Sequence, residues 1–310
     1  MWRPLDKLSQ DSERCYLSAS TIHRWLDRAG KGAQDDLAGQ LEGVASSGQV
    51  GTDGLWARLK GKSKKVVLAV VDSVSGLVYP PVVEDGEESF RPWERMFGRA
   101  EQAGLELDEL RGVVSDGAKG LIGYLNTGLW WVNHQRCVFH LWRNLSGELA
   151  SAVKAATQGL SDQAAKDVAK QARKELVVLV RGVFNAPSEA EAHMAVVALA
   201  VHYNGHKLAK VVQKHLEAAL VHRVPFNQGL IRVSPEWRWR DFRLRLSRGR
   251  NHRSPQRLER AALVWAIYRN FTPAQERSER KRKYRHPGLS PLEVAGVNLE
   301  GISYLDALGV

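Results

Sequence analysis

Cysteine is nearly absent from this 310-residue chain: Cys15 and Cys137 are the only two, and neither belongs to a CxxC pair. A disulfide-stapled secreted scaffold is thereby excluded, and a reducing compartment fits. Long apolar runs are missing too. The longest candidate, residues 195–201, falls far short of the roughly 18 residues a spanning helix needs. Residues 1–10 are polar and lack the apolar stretch of a signal peptide. These absences lead to the expectation of a soluble, cytoplasmic protein with no membrane partner. Disorder is excluded by composition, with 44% hydrophobic and 25% charged residues, ordinary values for one or two globular domains. No internal repeat is visible.

What is present in excess is positive charge, and it is concentrated. The net charge is +11, yet residues 232–286 alone hold 15 Arg and 2 Lys against 5 acids, leaving about −1 for the rest of the chain. A surplus carried by Arg suits bidentate contact with phosphate, so nucleic acid is the expected partner, against the alternative of a solvated basic face or tail. Trp237, Trp239, Phe242, Trp265, Tyr268 and Phe271 interleave with the arginines and argue that this segment folds.

Punctuation divides the chain. Residues 16–29 open on Ser/Thr caps, place Ile22, Trp25, Leu26 and Ala29 at helical spacing, and meet Gly30 and Gly32, which predicts a short helix stopped by glycine. It has the look of a recognition helix, with Ser18, Ser20, Thr21 and Arg24 available to DNA, or else of a small surface helix. Residues 31–50, rich in Gly, Ser and Gln, read as a linker. From Val50 the period becomes that of strands. GLWARLKG alternates, KKVVLAVVD is continuously apolar, and a turn at 73–76 leads into LVYPPVV, an antiparallel meander. A helix over 87–104, a strand at LRGVVSD, a helix over 118–125 and a strand at WWVNHQRC follow. Three antiparallel strands and then alternating helices and strands are the ribonuclease-H-like order. Residues 138–222 read as an all-helical insertion broken at 185–188. Helices near 235–247 and 256–270 come next, with an irregular basic end. The expectation is therefore an α/β protein. Residues 1–48 would form a helix-turn-helix-like segment and linker, and 49–145 the first part of a mixed five-stranded core. The insertion would span 146–230, the rest of the core 231–275 and a basic tail 276–310.

Two acids sit beside glycine at strand ends: Asp53 in VGTDGLW and Asp116 in VVSDGAKG. Phosphodiester chemistry on two divalent ions needs converging carboxylates, because Mg²⁺ prefers oxygen ligands. Alternatively, Asp53 is a turn residue and Asp116 a helix cap. A third acid would come from a later helix. Glu236 in VSPEWRWRDFRLRL is preferred, with Glu259 and Asp241 as rivals. Asp72 in VVDSVSG reads as a turn residue rather than a ligand. His202 and His206 stand four apart without a nearby acid in the sequence and read as ordinary histidines.

VGTDGLWARLKGKSKKVVLAVVDSVSGLVYP, LRGVVSDGAKGL and QRCVFHLWRNL together resemble the catalytic domain of mutator-type transposases, DDE enzymes of bacterial insertion sequences, over about residues 16–275. The resemblance implies a ribonuclease-H-like fold with Asp53 and Asp116 as the first two carboxylates and Glu236 as the third. It also implies an active-site support role for Cys137 and His140, for which zinc is the alternative. The last family motif, Asn-x-x-Glu-Arg-x-x-Arg, is altered here: Trp237 follows Glu236 and no Asn precedes it. The expected activity is cleavage and strand transfer of DNA on Mg²⁺, with Mn²⁺ as a substitute. Arg238, Arg240, Arg243, Arg245, Arg248, Arg250 and Arg253 would grip phosphates, with Arg24 at the N-terminal helix. A homodimer or higher oligomer would hold two element ends. The alternatives are an inactive or domesticated DNA-binding protein on the same scaffold, and a ribonuclease-H-like nuclease.

Overall fold

In the computed structural model, the structure describes residues 19–59, 64–202, 206–223, 242, 254–273, 286 and 288–308. A five-stranded mixed sheet runs β3-β2-β1-β4-β5. Its strands are β1 (Gln49–Arg58), β2 (Lys64–Asp72), β3 (Val82–Asp85), β4 (Gly112–Ser115) and β5 (Asn133–Arg136). β1 pairs antiparallel with β2 and β2 with β3, whereas β1, β4 and β5 are parallel to one another. The unbroken apolar run of β2 is explained by cover on both faces: Val66 to Val71 are fully buried, which removes the need for alternation. At the end of β1 one face meets solvent, and there Leu55 is buried while Trp56 and Arg58 are exposed, as alternation predicts.

The strand expected at LVYPPVV is shorter than its apolar content. Pro80 and Pro81 supply no N–H to a ladder, so Val78 makes a single bridge to Val71 and pairing resumes only at Val82. Asp72 closes the preceding turn, as the sequence suggests. Its Oδ1 accepts from the Val74 and Ser75 N–H groups and the Ser75 hydroxyl, its Oδ2 from the Ser47 N–H, and Gly76 adopts a positive φ.

Helices α2 (Phe90–Gln102) and α3 (Lys119–Gly128) lie where the sequence puts them. α1 (Ala19–Leu41) does not stop at its glycines, so the linker reading of residues 31–50 is corrected: most of it is helix. Ala33, Leu37 and Leu41 recur every four residues and are fully buried in the main core. Gly30 faces α9 (Pro255–Phe271), where a Cβ would come within 2.8 Å of the Arg260 Cγ. Glycine here permits a close helix crossing, and Asp27 pairs with Arg257 at 3.1 Å and Arg260 at 3.5 Å across it. α9 is fixed to the sheet by Asn270, which donates to the Val78 carbonyl and accepts from the Val78 N–H.

Among their described parts, residues 138–223 form helices joined by short turns and bends. α4 (Val138–Ala156), α5 (Asp162–Asn185), α6 (Glu189–Val201), α7 (His206–Lys214) and α8 (Leu216–Ala219) surround a second core of Leu141, Leu145, Leu176, Phe184, Leu199 and Leu216. The expected break at 185–188 separates α5 from α6, with Ser188 capping the latter. This helical layer is tied to the sheet by buried Gln135 of β5, which donates to the Ala219 carbonyl at 2.8 Å and accepts from the His222 N–H at 2.9 Å. The end of the chain is less irregular than expected. α10 (Pro291–Val294) and α11 (Tyr304–Ala307) each carry a reciprocal capping box, and Leu292 and Leu308 join the main core.

Candidate active site

The sheet register brings Asp53 and Asp116 to matching positions. Gly51 of β1 pairs with Val114 of β4, and each aspartate lies two residues further along its strand direction. Asp53 is buried, opposite Ala69 of β2. Asp116 is half-buried just past β4, where its Oδ1 accepts from the Ala118 N–H at 3.0 Å. It braces the turn ahead of α3 with one oxygen but is not the helix cap, since the N-cap position is Ala118 and no side chain caps it. The Asp116 Oδ2 has no hydrogen-bond partner among the described residues.

The turn after Asp116 is built from the neighbouring strand. Gly117 has φ +80°, a conformation that favours glycine, and a Cβ there would lie 2.6 Å from Cζ of the Arg136 guanidinium, which rests against it. The Ser115 hydroxyl accepts from the Gly117 N–H at 3.0 Å and shares a hydrogen bond with His134 Nε2 at 2.7 Å. Burial, and then the positive charge of Arg136, push His134 down to about 4, against the pull of Asp116. His134 is thus neutral at pH 7.

The depressed His134 pKa gives a stability prediction. An unfolded histidine takes its proton near pH 6.5, so between there and about pH 4 the unfolded chain binds more protons and stability falls as pH falls. The loss should reach about 3 kcal/mol. Urea denaturation at pH 7, 5.5 and 4 should show it, and His134→Gln should flatten it; an equal slope in both proteins would refute the assignment.

Cys137 and His140 flank the same place. The Cys137 N–H donates to the Ser115 carbonyl at 2.7 Å and its carbonyl accepts from Leu141, so it joins the end of β4 to the first turn of α4. Cys137 is a buried thiol, and His140 is buried one turn on with Phe139 edge-on at 5.7 Å. Arg24 is exposed on α1. Glu236, Asp241 and the arginines from Arg238 to Arg253 lie outside the described residues. Of the rivals to Glu236, Glu259 is held by Arg99 of α2 at 2.5 Å. Among the described residues no three His, Cys, Asp or Glu side chains form a group able to hold a metal. His202 does have an acid beside it: Glu175, 27 residues earlier on α5, lies 3.0 Å from its Nε2.

One acid near Asp116 escaped the sequence reading. The Glu88 carboxylate lies over Gly54 of β1, where a Cβ would be 2.6 Å from its Cδ. Burial, and then the like charge of Asp116, hold Glu88 above the usual carboxylate range, and a hydrogen bond from half-exposed Trp56 opposes them. Nothing in DGEESF distinguishes this glutamate from Glu87; its signal is the glycine it covers, on a distant strand. Arg136 escaped as well, being read as part of a strand.

No helix among the described residues is long and apolar enough to cross a membrane. Compared with known proteins, residues 82–233 match the family model described as Transposase, Mutator family. No curated protein matches the chain.

Proposed function

From the match of residues 82–233 to the Mutator family of transposases, we propose that the chain binds the DNA ends of its element and both cuts and joins them on divalent cations. The reading is carried by one observation: Asp53 and Asp116 stand two residues beyond a paired position on adjacent parallel strands. The strand order β3-β2-β1-β4-β5, with three antiparallel strands followed by alternating helices and strands, supports a ribonuclease-H-like core. Residues 138–223 would be its helical insertion.

Asp53 and Asp116 would hold Mg²⁺, with Glu236 as the third carboxylate. Hard carboxylate oxygens, one of them unengaged on Asp116, fit that ion. Bound there, two such cations supply activation of the attacking oxygen and stabilisation of the leaving one. The protein's share is positional. The Ala118 N–H fixes the rotation of Asp116, the ladder with β2 fixes Asp53, and Cys137 anchors the start of α4 to the strand bearing Asp116. The arginines from Arg238 to Arg253 would hold the DNA backbone, with a steep salt dependence. Two element ends held together would require at least a dimer.

The test is cleavage and joining of labelled DNA taken from both flanks of the protein's own gene, using the full chain with Mg²⁺ or Mn²⁺. Cut ends that join a second duplex, and loss of both steps on chelation, are expected. Binding without cutting in either metal would overturn the proposal in favour of a DNA-binding protein on this scaffold; cutting without joining would reduce it to a nuclease.

A further inference from the structure

Arg136 ends β5 in a position that ordinary structural roles do not account for. Its side chain lies against Gly117, the residue after Asp116, with a glycine's missing Cβ as the space it occupies. Its Nε is buried with no hydrogen-bond partner, and the side chain forms no ion pair among the described residues. Burial weakens its charged form, while the charge of Asp116, and then Cys137, favours it. Around it stand His134 and His215, whose charged forms it disfavours in turn, and the buried Cys137 thiol. The Arg136 Nε is thus a buried donor without an acceptor in a half-buried guanidinium, an arrangement that costs free energy until an acceptor is supplied.

The missing partner is an anion with several oxygens lying alongside Asp116. The planar fork of arginine matches a phosphodiester, and no described carboxylate forms an ion pair with it. We infer that Arg136 donates to a non-bridging oxygen of the scissile phosphate, next to the cations held by Asp116. The inference rests on the reading of Asp116 as a cation-holding carboxylate. It makes Arg136 a catalytic residue distinct from the arginine-rich segment, which would hold backbone phosphates elsewhere along the DNA. Gly117 serves it by leaving room for the guanidinium beside the turn.

The experiment compares wild type, Arg136→Lys and Arg136→Gln in the full chain on duplexes cut at the mapped position. Each duplex carries a normal phosphate, or an Rp or Sp phosphorothioate, at that bond. Single-turnover rates should fall about 100-fold in Arg136→Gln and be only partly restored by Lys, while the Kd for uncut DNA changes less than threefold. The ratio of Rp to Sp rates should change at least fivefold, since sulfur weakens a guanidinium bond to one of the two oxygens only. An unchanged ratio, or a loss appearing wholly in Kd, overturns the inference, and should Arg136→Gln fail to fold, Arg136→Lys carries the same test. Absence of cutting by wild type would refute the proposed activity itself, a distinct outcome.

Discussion

Asp116→Asn is expected to lower metal-dependent DNA cleavage by about 10³-fold, since the cation chemistry it removes is worth several kcal/mol and each 1.36 kcal/mol is about tenfold. The substitution is chosen because it preserves shape. Asparagine keeps an Oδ1 that can accept from the Ala118 N–H, so the turn into α3 and the conformation of Gly117 should survive and the melting temperature should stay near that of wild type. DNA binding should not weaken, because the lost group is an anion facing a polyanion. Asp53→Asn should produce a loss of similar size, for the same reason, from a buried site on β1. Cleavage within tenfold of wild type in either variant would remove that aspartate from the proposed cation site. An unfolded Asp116→Asn would mean instead that its role in the turn dominates.

Gly120→Val should cost at least about 4 kcal/mol of stability, a size seen only when something buried must move. Gly120 is the second residue of α3, and a Cβ there would overlap the Glu88 carbonyl oxygen and lie 2.5 Å from the Ser89 Cα. These are backbone atoms, which cannot rotate aside, so the approach to α2 would have to open. The same shift would lift the Glu88 carboxylate from Gly54 and disturb the surroundings of Asp116. Gly123→Ala is the control. Its Cβ would meet only the Phe90 ring at 3.7 Å, ordinary contact, and helix propensity should make it neutral or stabilising by up to about 1 kcal/mol. Urea denaturation distinguishes the two; equal stabilities would show that α2 and α3 are free to separate.

Several elements were decided by the sequence alone. The continuous apolar run of β2, the alternation of β1 and the helical spacing from residue 138 onward specify their elements because hydrophobic period and burial are local in the chain. Asp53 and Asp116 stand out in the sequence because each sits beside glycine, but the strand ends expected for both hold only for Asp116: Asp53 lies inside β1, opposite Ala69, and is no turn residue. Only the tertiary structure determined the rest. Gly30 reads as a stop until α9, some 230 residues away, is seen to press against it. Glu88 is one acid among several until Gly54 leaves room for it, and Glu259 is a candidate ligand until Arg99 binds it. Arg136 is a strand residue until Gly117 is placed beneath its guanidinium. In each case the deciding partner lies on another element. Propensity is a property of neighbours in sequence, whereas desolvation, close approach and charge pairing depend on neighbours in space that folding alone brings together.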